Sequence, residues 1–144
     1  MTTQISRRLK MLGMLLFLLG LVTGFVMSMF KNPRMGLAAH LEGIMNGIFL
    51  VIAGMIWNEL KISKLLRSIT CITLIYGTYA NWLTTMFAAY LGTSKMTPIA
   101  GQGFVGEILH QQIVSLGFAS VGLTMIFSLV VIVYGLRGKI ESPD

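Results

Sequence analysis

The sequence predicts an all-α integral membrane protein, a single domain over residues 1–144 built as a four-helix bundle. Three observations predict it. Hydrophobic residues make up 55% of the chain and charged ones only 11%, against about 25% charged in an ordinary soluble domain. The mean hydropathy is +0.79. The few charges are unevenly placed and leave four long apolar stretches between them. A helix of about twenty residues rises about 30 Å, the thickness of a hydrocarbon core, and satisfies its own backbone hydrogen bonds there. The same composition excludes a disordered chain, and the single cysteine, Cys71, excludes a disulfide scaffold. The net charge of +6 reads as basic loops flanking membrane spans rather than as a nucleic-acid footprint.

The first helix is expected at about 10–30, where Met11 to Phe30 carries no charge. It follows Arg7, Arg8 and Lys10, as a signal peptide would. Its apolar run exceeds the core of about 7–15 residues that such a peptide needs, and no small-x-small cleavage site follows, so it reads as an uncleaved span. The second helix, about 35–58, is apolar except for His40, Glu42 and Asn46. The third, about 67–92, lies in the uncharged stretch from Ser68 to Ser94, and the fourth, about 108–136, in that from Ile108 to Leu136. Between the last two, Gly92 to Gly106 is rich in glycine and reads as an irregular cap on one end of the bundle. No internal repeat appears, which argues against a transporter built from inverted repeats. Arg7, Arg8, Lys10, Lys61, Lys64, Arg67, Arg137 and Lys139 fall on one side of the membrane. Only Lys31, Arg34 and Lys95 fall on the other. That bias predicts both termini on the cytoplasmic side of a bacterial-type inner membrane.

Ionisable residues within a span are functional candidates by default. Glu42 and Asn46, four apart, share one face of the second helix, and His40 points roughly opposite. Gly36, Gly43, Gly47 and Gly54 fall within about 60° of His40. Two readings fit this stripe. It is a packing surface, with Gly43 and Gly47 in small-xxx-small spacing, or it leaves room beside an imidazole for a flat cofactor such as haem. Glu42 is a candidate proton carrier, with snorkelling or pairing to Lys31 or Arg34 as its structural alternative. On the third helix Thr78, Asn81 and Thr85 form one stripe, beside Tyr79. Asn81 serves either an interhelical hydrogen bond or a substrate pocket. His110, Gln111 and Gln112 open the fourth helix and read as solvated capping residues, with His110 a second ligand candidate. Cys71 reads as inert filling. Phosphate loops, Cys-x-x-Cys, His-Glu-x-x-His and a Ser-His-Asp set are all missing from the sequence.

The run Asn-Pro-Arg-Met-Gly-Leu-Ala-Ala-His-Leu-Glu-Gly-Ile-Met-Asn-Gly (Asn32 to Gly47) resembles the hydroxylaminobenzene mutases. So do Tyr-Gly-Thr-Tyr-Ala-Asn-Trp (Tyr76 to Trp82) and Met-Thr-Pro-Ile-Ala-Gly (Met96 to Gly101). The spacing of Ala39, His40, Asn46 and Gly47, with Ala80 and Asn81 later, is also similar to styrene oxide isomerases. The resemblance spans all four helices in length and order and touches specific residues in roughly 31–101. It implies a small membrane isomerase assembled as a homotrimer, with haem b near a subunit interface. It implies His40 as the iron's protein ligand, iron acting as a Lewis acid, and Asn46 and Asn81 in the active site. Beside His40, Gly43 and Gly47 become cofactor-side residues, and Lys31 and Arg34 candidate partners of the haem propionates. A tyrosine important in the epoxide enzymes is matched here by Thr85, which favours the mutase branch, with Tyr79 as the candidate replacement. The expected reaction converts an aryl hydroxylamine, a small aromatic substrate able to enter from the lipid bilayer, to an ortho-aminophenol. Alternatives are an epoxide-to-aldehyde isomerase, a proton-coupled transporter using Glu42, and a haem-bearing electron-transfer subunit.

Overall fold

A computed structural model of the chain describes residues 2–137. Lys139, counted in the topology argument above, lies outside them. Four long helices follow one another: α1 (Thr2–Val26), α2 (Pro33–Ile56), α3 (Lys64–Leu91) and α4 (Ile108–Gly135), with short 3₁₀ turns at Met27–Met29 and Trp57–Glu59. α1 begins well before the expected position near residue 10. The basic residues Arg7, Arg8 and Lys10 therefore ride on its first turns, and this early part is packed: Leu9 is fully buried and the Ser6 hydroxyl donates to the Gly54 carbonyl at 2.6 Å. α2 starts at Pro33, a residue whose missing N–H costs nothing at a helix start. Asn32 caps it, its Oδ1 accepting from the backbone N–H of Arg34 and Met35 at 3.1 and 3.2 Å. Ser63 caps α3, and Gly92, in the left-handed region at φ 66°, ends it.

Three segments, Thr3–Met29, Pro33–Glu59 and Ile108–Gly135, are long and apolar enough to cross a membrane. The protein is a membrane protein on that evidence. α3 is as long as α4, 28 residues each, but more polar. The reason lies in its position. α3 packs against α2 on one side and α4 on the other, and touches α1. Its polar groups are spent on neighbours. The Thr73 hydroxyl pairs with Ser128 and the Tyr76 hydroxyl with Ser120, both at 2.8 Å. Such bonds remove the cost of polar atoms away from water.

Within one chain the helices form an open array in the order α1, α2, α3, α4 rather than a closed bundle. α4 packs on α3 and makes no comparable contact with α1 or α2. Its buried residues Val114, Val121, Ser128, Val131, Ile132 and Gly135 fall on one narrow stripe.

α1 and α2 form the tightest pair. A Cβ added at Gly43 would lie 2.5 Å from Gly20 Cα, and one at Gly47 2.6 Å from the Phe17 backbone nitrogen. Only glycine lets two backbones approach this closely. The stripe on α2 is therefore a packing seam. Within one chain the backbone of α1 lies against Gly43 and Gly47.

Candidate active site

α2 carries His40, Glu42 and Asn46 in under two turns, and its rotation sends them to different neighbours. His40 faces α1. Its Nδ1 lies 2.8 Å from the Gly20 carbonyl oxygen. A carbonyl only accepts, so Nδ1 carries the proton and donates, and in the neutral ring Nε2 keeps its lone pair. A Cβ on Gly24 would lie 2.7 Å from His40 Nδ1, so the ring occupies a notch that glycine leaves open on α1.

Glu42 faces α3. Its Oε2 accepts a hydrogen bond from Thr85 Oγ1 at 2.8 Å. Among the described residues no lysine or arginine pairs with it. The expected pairing with Lys31 or Arg34 is absent because both are engaged at the end of the helix array. Arg34 Nη2 donates to the Gln102 carbonyl, and its guanidinium lies 5.9 Å from the centre of the Phe104 ring. The Lys31 stem lies over Gly92. Arg34 thus clamps the 92–107 segment.

Asn46, one turn beyond Glu42, has a fully buried Nδ2 with no hydrogen-bond partner. Asn81 lies on α3 one turn before Thr85, and its backbone carbonyl accepts from the Thr85 hydroxyl at 2.9 Å. Tyr79 donates its hydroxyl proton to the Leu12 carbonyl at 2.8 Å. That phenol ties α3 to α1. Trp82 does similar work, its Nε1 donating to Thr23 Oγ1 at 3.1 Å.

The 92–107 segment closes one end of the array. Fully buried Asn32 donates from Nδ2 to the Ala100 carbonyl at 2.9 Å and from its backbone to the Ala89 carbonyl at 3.0 Å. Gln111 Oε1 accepts from the backbone N–H of Ser94 and Lys95 at 3.2 and 2.9 Å. It is a loop anchor rather than the solvated cap expected. His110 sits 3.7 Å from Glu107 at the start of α4. Among the described residues no group of three His, Cys, Asp or Glu could hold a metal ion. Cys71 lies in the apolar core beside Leu74 and Trp57.

Sequence reasoning missed the partners on α1. Gly20 and Gly24 stand four apart, a small-xxx-small spacing that marked them. The Thr85 contact to Glu42 left no local signal, because it joins residues 43 positions apart.

Known proteins bear on this arrangement directly. The family model described as styrene oxide isomerase matches residues 5–137. The chain is 41% identical to hydroxylaminobenzene mutase HabB of Ectopseudomonas oleovorans over 134 residues, 92% of this chain and 82% of the relative. It is also 41% identical to hydroxylaminobenzene mutase HabA of the same organism over 125 residues, 86% of this chain and 93% of the relative. No solved structure gives a significant match. With most of its length matched in this way, the chain belongs to the styrene oxide isomerase family and is an isomerase.

Proposed function

We propose that this enzyme rearranges an aryl hydroxylamine such as hydroxylaminobenzene to the ortho-aminophenol, at a site that carries haem b on His40. The observation that carries the reading is the buried Asn46 amide with no acceptor. A buried donor left unpaired costs about 1–3 kcal/mol. A substrate oxygen supplies the missing acceptor, and a hydroxylamine offers one. The names of the two relatives support the same substrate class.

The fit of haem rests on His40. Metal-bound histidines almost always donate their second ring N–H to a carbonyl or carboxylate, which sets the tautomer. The Gly20 carbonyl does this here. His40 would hold the haem, and the bound group would supply a Lewis acid for the N–O bond. The residues of the chain do the rest. Asn46 and Asn81 hold the nitrogen and the migrating oxygen in place, which is an effect of proximity. Glu42 takes up a proton from the ring and returns it to nitrogen. The apolar walls of the helices keep water from trapping the electron-poor ring.

His40 and Glu42 face opposite sides of α2 within one chain. A pocket lined by both is completed by a second copy, which agrees with a homotrimer bearing haem near the subunit interface. The array sits in the inner membrane with both termini cytoplasmic and the 92–107 segment on the opposite side, following the distribution of lysine and arginine. A cysteine placed in the 92–107 segment should be labelled from outside intact cells, and one at residue 61 should not; the reverse pattern would invert the topology.

The central test is an absorption spectrum and a turnover assay on detergent-purified protein, beside His40→Ala. Wild-type protein should show a haem band and form 2-aminophenol, retaining isotopic oxygen from the hydroxylamine. His40→Ala should lose band and activity together. Full activity without haem would refute the iron's role. A haem-free protein that drives pH-dependent flux in liposomes would return the transporter reading.

A further inference from the structure

Phe30, Leu83, Met86, Phe87 and Tyr90 line a cavity of about 160 Å³ at the end of the array that the 92–107 segment closes. Leu83, Phe87 and Tyr90 stand four and three apart, on one face of α3. A turn of about 100° per residue puts that face roughly opposite Asn81 and Thr85. The cavity therefore lies apart from the polar residues described above. Met86 reaches inward from it, with its Sδ 4.0 Å from the hydroxyl of buried Thr23, which also accepts from Trp82. Three of the five lining residues are aromatic, in a chain with only 10% aromatic residues. An apolar cavity of about 150 Å³ is large enough to bind one benzene molecule.

We propose that this cavity is a second binding site, which takes one benzene-type ring with a small polar group from the membrane. Its ligands are the aryl hydroxylamine and the aminophenol, and in naming them the inference rests on the reading above. Size sets the first limit. Leu83 to Tyr90 spans about 10 Å of helix, enough for one substituted ring. A lipid chain needs about 15 Å, half of a hydrocarbon core. Chemistry sets the second. Phe30, Phe87 and Tyr90 offer a ring offset-stacked or edge-to-face contacts, and the Met86 thioether packs against a ring edge. A saturated chain gains neither. The Tyr90 hydroxyl is the one polar group in the lining and can meet the ligand's nitrogen or oxygen. Tyr90 is exposed and lies one residue from the end of α3. That is the level of the membrane interface, where rings with a polar edge collect.

The test is photolabelling of the purified full-length protein in lipid nanodiscs, with adducts mapped by peptide mass spectrometry. The probes are a phenyl diazirine, a naphthyl diazirine and an alkyl diazirine of acyl-chain length. Aniline is the competitor. It keeps the ring and nitrogen of the substrate and lacks the N–O bond, so binding is read apart from turnover. Phenyl adducts should collect on Phe30 and on residues 83–90, and aniline should displace them. Leu83→Trp fills the cavity and should weaken that competition about tenfold or more, the scale of overpacking. Phe87→Ala widens the cavity and should admit the naphthyl probe that the wild-type protein excludes. Phenyl adducts spread evenly over exposed residues such as Phe25 and Leu123 would overturn the proposal. So would adducts that aniline leaves in place, or an alkyl probe that collects at the same residues. Wild-type competition in Leu83→Trp would overturn it as well. If Leu83→Trp does not assemble, Phe87→Ala decides, and continued exclusion of the naphthyl probe is the contrary result. Aminophenol formation is assayed on the same preparation. Turnover without displaceable labelling overturns this inference and leaves the reaction standing. Displaceable labelling without turnover removes the reaction and leaves a site for aromatic rings.

Discussion

Asn46 separates structure from function at the scale of one residue. Its amide is buried without a partner, an arrangement that costs stability. Asn46→Leu, similar in volume and without polar atoms, should leave the melting temperature unchanged or raised, since it relieves a penalty of about 1–3 kcal/mol. Turnover should collapse in the same variant. A loss of stability with turnover retained would make Asn46 a packing residue. The notch for His40 gives a second test. Gly24→Ala places a methyl 2.7 Å from Nδ1, so the ring must move and the bond to the Gly20 carbonyl must break. If His40 holds haem as proposed, haem retention, read from the absorption spectrum, should fall in this variant even though His40 is intact. That His40, Glu42 and Asn46 deserved attention was legible in the sequence, because polar groups are costly in an apolar helix. Which neighbour each one meets was not. The contacts of His40 and Glu42 join residues 20 and 43 positions apart.

At the scale of elements, the α1–α2 seam governs stability. Gly43→Ala drives a methyl into the backbone of α1, with Gly20 Cα 2.5 Å away. Backbone cannot swing aside as a side chain can. A destabilisation of about 1–3 kcal/mol, typical of overpacking, should appear in thermal unfolding in detergent. Gly122→Ala on α4 is the control, because nothing lies within 4 Å of the added carbon. It should be neutral or stabilising by up to about 1 kcal/mol through helix propensity. The glycine spacing on α2 announced a close contact but not its occupant, since α1 and a flat cofactor both need missing side chains. The end of the array is governed by Asn32, which joins the start of α2, the end of α3 and the following loop. Asn32→Ala should cost about 2 kcal/mol, from a lost helix cap and a half-buried carbonyl left without its donor. Limited proteolysis should then cut within 92–107 and should leave the wild-type chain uncut there.

For the whole molecule, the open array matters most. α4 leans on α3 alone among the helices, and much of the surface of α1, α2 and α4 is apolar and exposed, including Phe25, Met55 and Leu123 at 86%, 65% and 73%. Lipid covers such a surface in a membrane protein, and so does a second copy. If a pocket takes His40 from one copy and Glu42 with Asn46 from another, inactive variants should complement each other. Co-expressed His40→Ala and Asn46→Leu should give mixed assemblies with part of the wild-type activity, measured on purified doubly tagged complexes. Activity no higher than either variant alone would place the site within one chain.

The sequence by itself determined the membrane class, the four helices and the polar residues that they carry. Composition and charge spacing act locally along the chain, and a helix closes its hydrogen bonds within itself. The helix ends were less legible: basic residues at the start of α1 looked like a boundary, yet side chains on a packed helix carry them equally well. The tertiary structure alone decided that α1 fills the glycine stripe, that Arg34 clamps a loop and that Tyr79 ties two helices. It alone decided that Thr85 holds Glu42 while Gly20 orients His40. Each of these is a contact between residues distant in the chain, and no local pattern records which faces meet once the helices pack.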